Sequence, residues 1–364
     1  MRDRIGSSER RGNPGADSDY KVASHRRRFP RGRVKKQDNP MTTRPTLGAD
    51  MALRTFTVAL WFDAKRFLQK EFNNNPAGYR GLQRWLQQHG AGTLRIGIES
   101  TNTYGEGLAE AMHQAGHRVH LLNPERVACY ARCRGQRNKT DPADAVTIAA
   151  FVAAHDDLTL WQPLRPEQKT LRSLTRARYQ LVQTLGQLTN QLRTAADPGR
   201  AHLAQAQRAL QTQLKALGRA IADHVQAHAT LQESTRRLRT LKGIGLVTAA
   251  TLLAELPPVT PESDPRALCS WAGLTPRRRQ SGAVELPAHL GRAGNAYLRH
   301  ALYMPALVAK RWNPCLRDFA ARLEANGKST PAILGAISHK MLRILLGMLR
   351  SATDFNPNYS PKKI

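Results

Sequence analysis

Apolar positions change their period several times along the chain, and each change marks a part. Over residues 53–61 they alternate loosely among Thr, Val and Phe, which predicts the start of a strand or hairpin. Asn73-Asn74-Asn75-Pro76 reads as a turn and helix start, and Tyr79, Leu82, Trp85 and Leu86 follow at helical spacing. Residues 94–98 predict a short buried strand that ends at Glu99. A helix over 104–116, a strand over 119–122 and a helix over 140–154 complete this part. Strands followed by crossover helices predict an α/β domain over 46–160, mostly parallel with an antiparallel start.

The period is different over 161–238. Leu174, Leu181, Leu185, Leu188 and Leu192 recur at steps that are mostly three or four, as do Leu210, Leu214, Leu217, Ile221 and Val225. Asp197-Pro198-Gly199 lies between the two runs as a turn signal. Two long helices folded back as a hairpin or coiled coil are expected, serving as a spacer or dimer-forming element. Residues 239–352 predict a mainly helical C-terminal domain, and 353–364 a tail. Residues 1–45 have no apolar period and carry 13 basic against 5 acidic residues. They read as a disordered basic leader, either an over-extended gene start or a nucleic-acid-binding arm.

Charge narrows the class of partner. Lys and Arg number 56 against 27 Asp and Glu, for a formal net charge of +29. Such a surplus calls for a polyanion, and nucleic acid is the commonest one. The longest apolar run noted, residues 145–154, falls well short of the ~20 residues needed to cross a bilayer, and no lipidation motif appears. A non-membrane, cytoplasmic and nucleoid-associated protein is expected. Four cysteines do not form a disulfide framework. His117, His120, Cys129 and Cys133 invite a zinc reading, but no Cys-x-x-Cys is present and the two histidines flank one short strand. No P-loop, Gly-x-Ser-x-Gly or dinucleotide fingerprint occurs, so bound ATP is not expected to drive the chemistry.

Four carboxylates stand out in so basic a chain. Asp50 follows Gly48-Ala49, and Glu99 ends a predicted buried strand. Asp141 and Asp144 lie three apart at a helix start, on one face. Phosphodiester chemistry uses such sets, because Mg²⁺ takes oxygen ligands and its charge stabilises attacking and leaving oxygens. Each acid also has a plain structural reading: Asp141 as an N-cap before Pro142, Asp144 for the helix dipole, Glu99 as an ion-pair partner. Asp63 competes with Asp50 for the first position.

Gly48-Ala49-Asp50, Glu99-Ser100-Thr101-Asn102-Thr103-Tyr104, Asn123-Pro124 and Asn138-Lys139-Thr140-Asp141-Pro142-Ala143-Asp144 agree in order and spacing with one family. The chain resembles, over residues 46–350, the insertion-sequence transposases that pair an N-terminal RuvC-like, RNase H-fold DEDD domain with a C-terminal serine-bearing domain, the bridge-RNA-guided recombinases. That resemblance places the four acids on Asp50, Glu99, Asp141 and Asp144, as catalytic residues and Mg²⁺ ligands. Met51-Ala52-Leu53 stands where the family has Val-Ser-Lys or similar.

In the C-terminal part, Leu241-Lys242-Gly243-Ile244-Gly245 looks like the turn of a helix-hairpin-helix. There Gly243 and Gly245 would let phosphate approach helix amides; an ordinary helix–helix turn is the alternative. Arg277-Arg278-Arg279-Gln280-Ser281-Gly282 follows, read as a basic patch leading into a flexible, small-residue site. By resemblance Ser281 is the nucleophile, completed across a dimer by the DEDD site. Arg277, Arg278 and Arg279 would hold phosphates, with Lys139 and Arg292 as further nucleic-acid contacts. Arg292 takes the place of the family's usual lysine. The resemblance further implies a phosphoserine intermediate, DNA at element ends and target, a noncoding guide RNA, and a homodimer or tetramer. A Holliday-junction-type metal nuclease without a serine intermediate, or a degenerate copy that only binds nucleic acid, are the alternatives.

Overall fold

A computed structural model describes residues 45–63, 66–99, 104–135, 141–281, 284–290 and 294–357; for 141–142, 277–281 and 284–289 it describes the backbone alone. The leader, Lys139, Gly282, Arg292 and the end of the tail therefore lie outside the described residues. The chain divides into two compact units between Thr159 and Leu160.

The first unit is built on a five-stranded sheet. Its elements are β1 (Thr46–Met51), β2 (Thr55–Trp61), β3 (Phe67–Asn73), α1 (Pro76–Gln88), β4 (Arg95–Glu99), α2 (Glu106–Gln114), β5 (Arg118–Leu122), α3 (Pro124–Cys133) and α4 (Asp141–Ala154). The strand order is β3-β2-β1-β4-β5, with β1, β2 and β3 antiparallel and β1, β4 and β5 parallel. The expected parallel core with an antiparallel start is present. It begins earlier than the sequence pattern suggests: β1 is a strand of its own, and Leu53 lies in the exposed turn after it. Asn75 caps α1 by accepting from the Gly78 amide at 2.9 Å, with Pro76 at the first helical position.

Helices cover both faces, as a mixed sheet with a central parallel pair requires. On one face Phe56 meets Phe72 and Tyr79 of α1, and the start of α2 seats Gly105 against Ile98 and Met51. On the other, α4 lies directly on the strands. A Cβ at Gly48 would stand 2.2 Å from the Ala145 carbonyl oxygen, and one at Gly97 would stand 2.5 Å from a Val152 methyl. Glycine at these two strand positions is what lets the helix come so close.

The second unit comprises α5 (Pro166–Thr194), α6 (Gly199–Gln226), α7 (Ala229–Leu238), α8 (Leu246–Glu255), α9 (Pro265–Trp271), β6 (Pro276–Ser281), β7 (Val284–Leu290), α10 (Ala296–Trp312), α11 (Pro314–Ala325) and α12 (Thr330–Ser351). α5 and α6 pack on one another and turn at Asp197-Pro198-Gly199, where a hairpin is expected. Their base shares an apolar core with the next helices through Leu171, Ile221, Val225, Leu231, Ala250 and Ala254. α12 is 22 residues long and apolar enough to cross a membrane by length and composition. Ser338-His339-Lys340 and Arg343 break its run in sequence and hide that property. Here it is the central core helix, with Ile337, Met341, Leu342, Leu345 and Leu346 fully buried.

One element departs from the mainly helical expectation. Arg277 to Ser281 form part of an antiparallel hairpin, β6–β7, so Ser281 is the last residue of a strand. The pairing runs from Pro276 opposite Leu290 to Ser281 opposite Val284, with a register shift between Arg277 and Arg279. Pro287 lies opposite that shift and has no amide proton to give the ladder.

Candidate active site

The sheet register brings Asp50 and Glu99 side by side. β1 and β4 run parallel in register to Ala49 opposite Ile98, and the acids are the next residue on each strand. Side chains alternate along a strand, so Asp50 shares the face of Gly48 and Glu99 the face of Gly97. Both glycines face α4, and so do both acids. Each is half-buried.

α4 runs antiparallel to β1. Thr46 donates its hydroxyl to the Ala149 carbonyl at 2.9 Å, and Gly48, two residues on, lies under Ala145. Two more residues along the strand reach Asp50, and one more helical turn back reaches 141–144. The N-terminal turn of α4 therefore lies toward the strand ends that carry Asp50 and Glu99, with Asp144 half-buried on it. Asp141 is the first residue of the helix; its side chain is outside what is described. Among the described side chains no three of His, Cys, Asp or Glu already form a group able to hold a metal ion.

Asp63 belongs elsewhere. It follows β2, whose Trp61 pairs with Thr46, so it stands at the opposite end of the sheet from Asp50. Its carboxylate accepts from the Arg66 amide at 2.9 Å and closes a turn. The residues of the zinc reading are also engaged locally. The His117 Nδ1 accepts from the Leu94 amide at 3.2 Å, and the His120 Nδ1 lies 3.0 Å from the Thr159 carbonyl. Cys129 and Cys133 are free and exposed.

In the second unit, Gly243 and Gly245 lie in the turn between α7 and α8. Gly243 adopts φ +104°, which other residues rarely adopt, and packs its Cα side against the Pro305 carbonyl. Gly245 is the N-cap of α8 and has no side chain to cap the first-turn amides. Nearby, the Lys242 ammonium lies over the Trp312 ring. Burial pushes the Cys269 thiol up to about 11, so it supplies no ready thiolate beside the hairpin. Lys139 and Arg292 are outside the described residues, as are the side chains of Arg277, Arg278, Arg279 and Ser281.

Two things escaped the sequence pattern. Gly48 and Gly97 set the height of α4 above the acids, which only the sheet register reveals. Glu255, the one acid in the apolar run of α8, is fully buried and ties three helices together. A lone acid at the end of an apolar helix was the available signal.

Comparison with known proteins gives this arrangement its class. A transposase family model of the DEDD, IS110 type matches residues 47–198, which hold the five-stranded sheet from its second residue onward and all four acids. A second model, of the transposase IS116/IS110/IS902 family, matches residues 235–321, which include the β6–β7 hairpin. Together with the mixed sheet, these define a DNA transposase with an RNase H-like DEDD domain. The pilin gene-inverting protein of Moraxella bovis is 30% identical over 322 residues, covering 85% of this chain and 97% of that protein. The transposase for insertion sequence element IS1328 of Yersinia enterocolitica is 23% identical over 288 residues, covering 68% of this chain and 82% of its own length. The transposase for insertion sequence element IS1111A of Coxiella burnetii is 25% identical over 211 residues, covering 50% and 57%. The chain belongs to the IS116/IS110/IS902 family of insertion-sequence transposases.

Proposed function

We propose that this transposase cuts and rejoins DNA through a transient phosphoserine at Ser281, with Asp50, Glu99, Asp141 and Asp144 as the metal-binding half of its chemistry. The observation that carries the metal half is the register of β1 and β4. It sets Asp50 and Glu99 on neighbouring strand ends, on the face covered by the helix that bears the other two acids. The donors are all carboxylate oxygens, the set a hard divalent cation prefers. Bound Mg²⁺ would supply positive charge for the oxygens around the scissile phosphorus.

The serine half rests on the family resemblance and on the strand that ends at Ser281. Its hydroxyl oxygen attacks phosphorus and its proton passes to solvent. A P–O bond to Ser281 forms as one P–O bond to deoxyribose breaks, and the departing sugar oxygen takes up a proton. Attack by a hydroxyl of another strand reverses the step and joins that strand, so bond energy is conserved without ATP. Arg277, Arg278, Arg279, Lys139 and Arg292 would neutralise backbone phosphates, and the N-terminal amides of α8 behind Gly243 and Gly245 would take one more. A noncoding RNA from the element would choose donor and target by base pairing, and the protein would act as a homodimer or tetramer. The net charge of +29 suits a protein that holds two nucleic acids at once.

The test is strand exchange in a reconstituted reaction of element-end DNA, flanking noncoding RNA and Mg²⁺. Wild type is expected to give joined product, while Ser281→Ala and Asp144→Asn give none and bind DNA as before. Full-rate cleavage by Ser281→Ala would establish the nuclease alternative. Tight binding by wild type without Mg²⁺-dependent joining would establish the degenerate copy.

A further inference from the structure

The second unit contains a buried polar cluster with no obvious place in a helical core. Glu255, at the end of α8, has a fully buried side chain. From α5, Arg176 gives it two bonds, Nε to Oε1 at 2.6 Å and Nη2 to Oε2 at 2.9 Å. Arg172, one turn earlier on α5, lies 3.6 Å from Oε2. The third approach comes from Asn295, whose Nδ2 donates to Oε2 at 2.8 Å. A buried ionic cluster of this kind contributes little to net stability compared with apolar packing, and its better attested use is to fix a geometry.

What it fixes can be followed residue by residue. Asn295 is the N-cap of α10, and its Oδ1 accepts from the Leu298 amide at 3.1 Å. Its amide side chain accepts from the helix through Oδ1 and donates to the carboxylate through Nδ2 at once. The Asn295 amide in turn donates to the Trp271 carbonyl at 3.1 Å. Next to it, Gly294 at φ +95° crosses Gly273 so closely that a Cβ would stand 2.5 Å from the Gly273 nitrogen. Arg299 adds a bond to the Ala272 carbonyl at 3.3 Å. Residues 271–273 and 294–295 are the two feet of the β6–β7 hairpin. Around them Arg176 lies over the Tyr297 ring, and Tyr179 packs on Tyr297 and His300.

Ser281 is at the far end of that hairpin, five residues beyond Pro276. At ~3.4 Å per residue the serine stands ~17 Å from the start of the strand. A tilt of about 5° at the feet moves it by about 1.5 Å, on a scale where about 1 Å of misplacement costs ~10²-fold in rate.

We propose that Glu255 and Asn295, held by Arg176, are positioning residues that set the direction of the β6–β7 hairpin and so the place of Ser281. This rests on the reading of Ser281 as the nucleophile. The cluster touches no reacting atom; it acts through the hairpin feet.

The test uses the full chain with Asn295→Asp, Glu255→Gln and the double variant. Asn295→Asp keeps the helix cap but sets carboxylate against carboxylate. The double variant restores a donor–acceptor pair with its polarity reversed. Hydrogen exchange of the 276–290 amides reads the hairpin directly, and the rate of covalent adduct formation with element-end DNA, noncoding RNA and Mg²⁺ reads the serine. Asn295→Asp is expected to speed hairpin exchange by tenfold or more and slow adduct formation by 10- to 100-fold, with DNA affinity within twofold. The double variant is expected to recover most of both losses, which a merely structural role would not produce. Asn295→Ser, which keeps a capping oxygen but replaces the amide donor with a shorter hydroxyl that falls short of Glu255, is expected to act in the same direction and serves if Asn295→Asp does not fold. Unchanged hairpin exchange in these variants, or a double variant no better than the worse single, overturns the proposal. Ser281→Ala separates the two readings: if it still forms adduct, the nucleophile assignment fails, whereas the exchange data still decide whether the cluster positions the hairpin.

Discussion

Gly48→Ala is a sharp probe of how the DEDD acids are assembled. The added methyl would lie 2.2 Å from the Ala145 carbonyl oxygen and 2.4 Å from the Ala149 amide nitrogen. Both are backbone atoms of α4, so no side chain can rotate away. Restoring ordinary contact requires α4 to retreat by about 1 Å, a form of overpacking that costs ~1–3 kcal/mol. That is a large share of the ~5–15 kcal/mol that holds a domain together. The same movement shifts Asp141 and Asp144 against Asp50 and Glu99, and about 1 Å of misplacement is worth ~10²-fold in rate. Urea titration followed by hydrogen exchange of the β1 and α4 amides reads the first unit separately from the second. Mg²⁺-dependent cleavage of element-end DNA reads the chemistry. Gly92→Ala is the control, since a Cβ there meets nothing within 4 Å. If Gly48→Ala is as stable as the control and cleaves at the wild-type rate, α4 does not set the acids by resting on β1, and the site geometry derived above is wrong.

Gly97→Ala should also destabilise, by ~1–3 kcal/mol, because its new methyl would stand 2.5 Å from a methyl of Val152 and 3.1 Å from one of Ile148, both buried β-branched side chains with little freedom to turn; the same exchange experiment measures it. Asn75→Ala should lower stability by ~1 kcal/mol through loss of the α1 cap, measured by urea midpoint. Burial holds the imidazoles of His117, His120, His300 and His339 below their ordinary value, with Arg95 and Arg118 adding to the effect at His120. The unfolded chain then takes the proton first, so stability is full above ~6.5 and falls as pH drops from there through the folded values. Urea midpoints should decline from pH 7.5 to pH 5, and His120→Gln should flatten part of that decline; a pH-independent midpoint contradicts it.

The parts of the fold legible in the sequence are those whose burial follows one period. α1, α2, β4, β5 and the α5–α6 pair show theirs plainly. β1 escaped because Thr46-Leu47-Gly48-Ala49 is buried on both faces, so no alternation remains to read. β3 escaped for the opposite reason: as an edge strand it is nearly all exposed, and Gln69, Lys70 and Glu71 look like a loop. The β6–β7 hairpin was masked by its three arginines, which read as a basic patch before they read as a strand. Asp141 and Asp144 were legible as a pair from local spacing alone. Asp50 and Glu99 needed the sheet, because their adjacency is a matter of register between strand positions 49 residues apart in number. Glu255 and Asn295 needed it most of all, being joined across three helices that no period connects.

The most direct measurement of the central claim is the chemical identity of the protein–DNA linkage. The full chain, trapped during reaction with element-end DNA, noncoding RNA and Mg²⁺, can be digested and the adducted peptide sequenced by mass spectrometry. The account predicts a phosphodiester-linked nucleotide on the peptide containing Ser281, absent from Ser281→Ala and from Asp144→Asn. A linkage mapped to any other residue, or Mg²⁺-dependent cleavage by wild type that never passes through a covalent adduct, would contradict it.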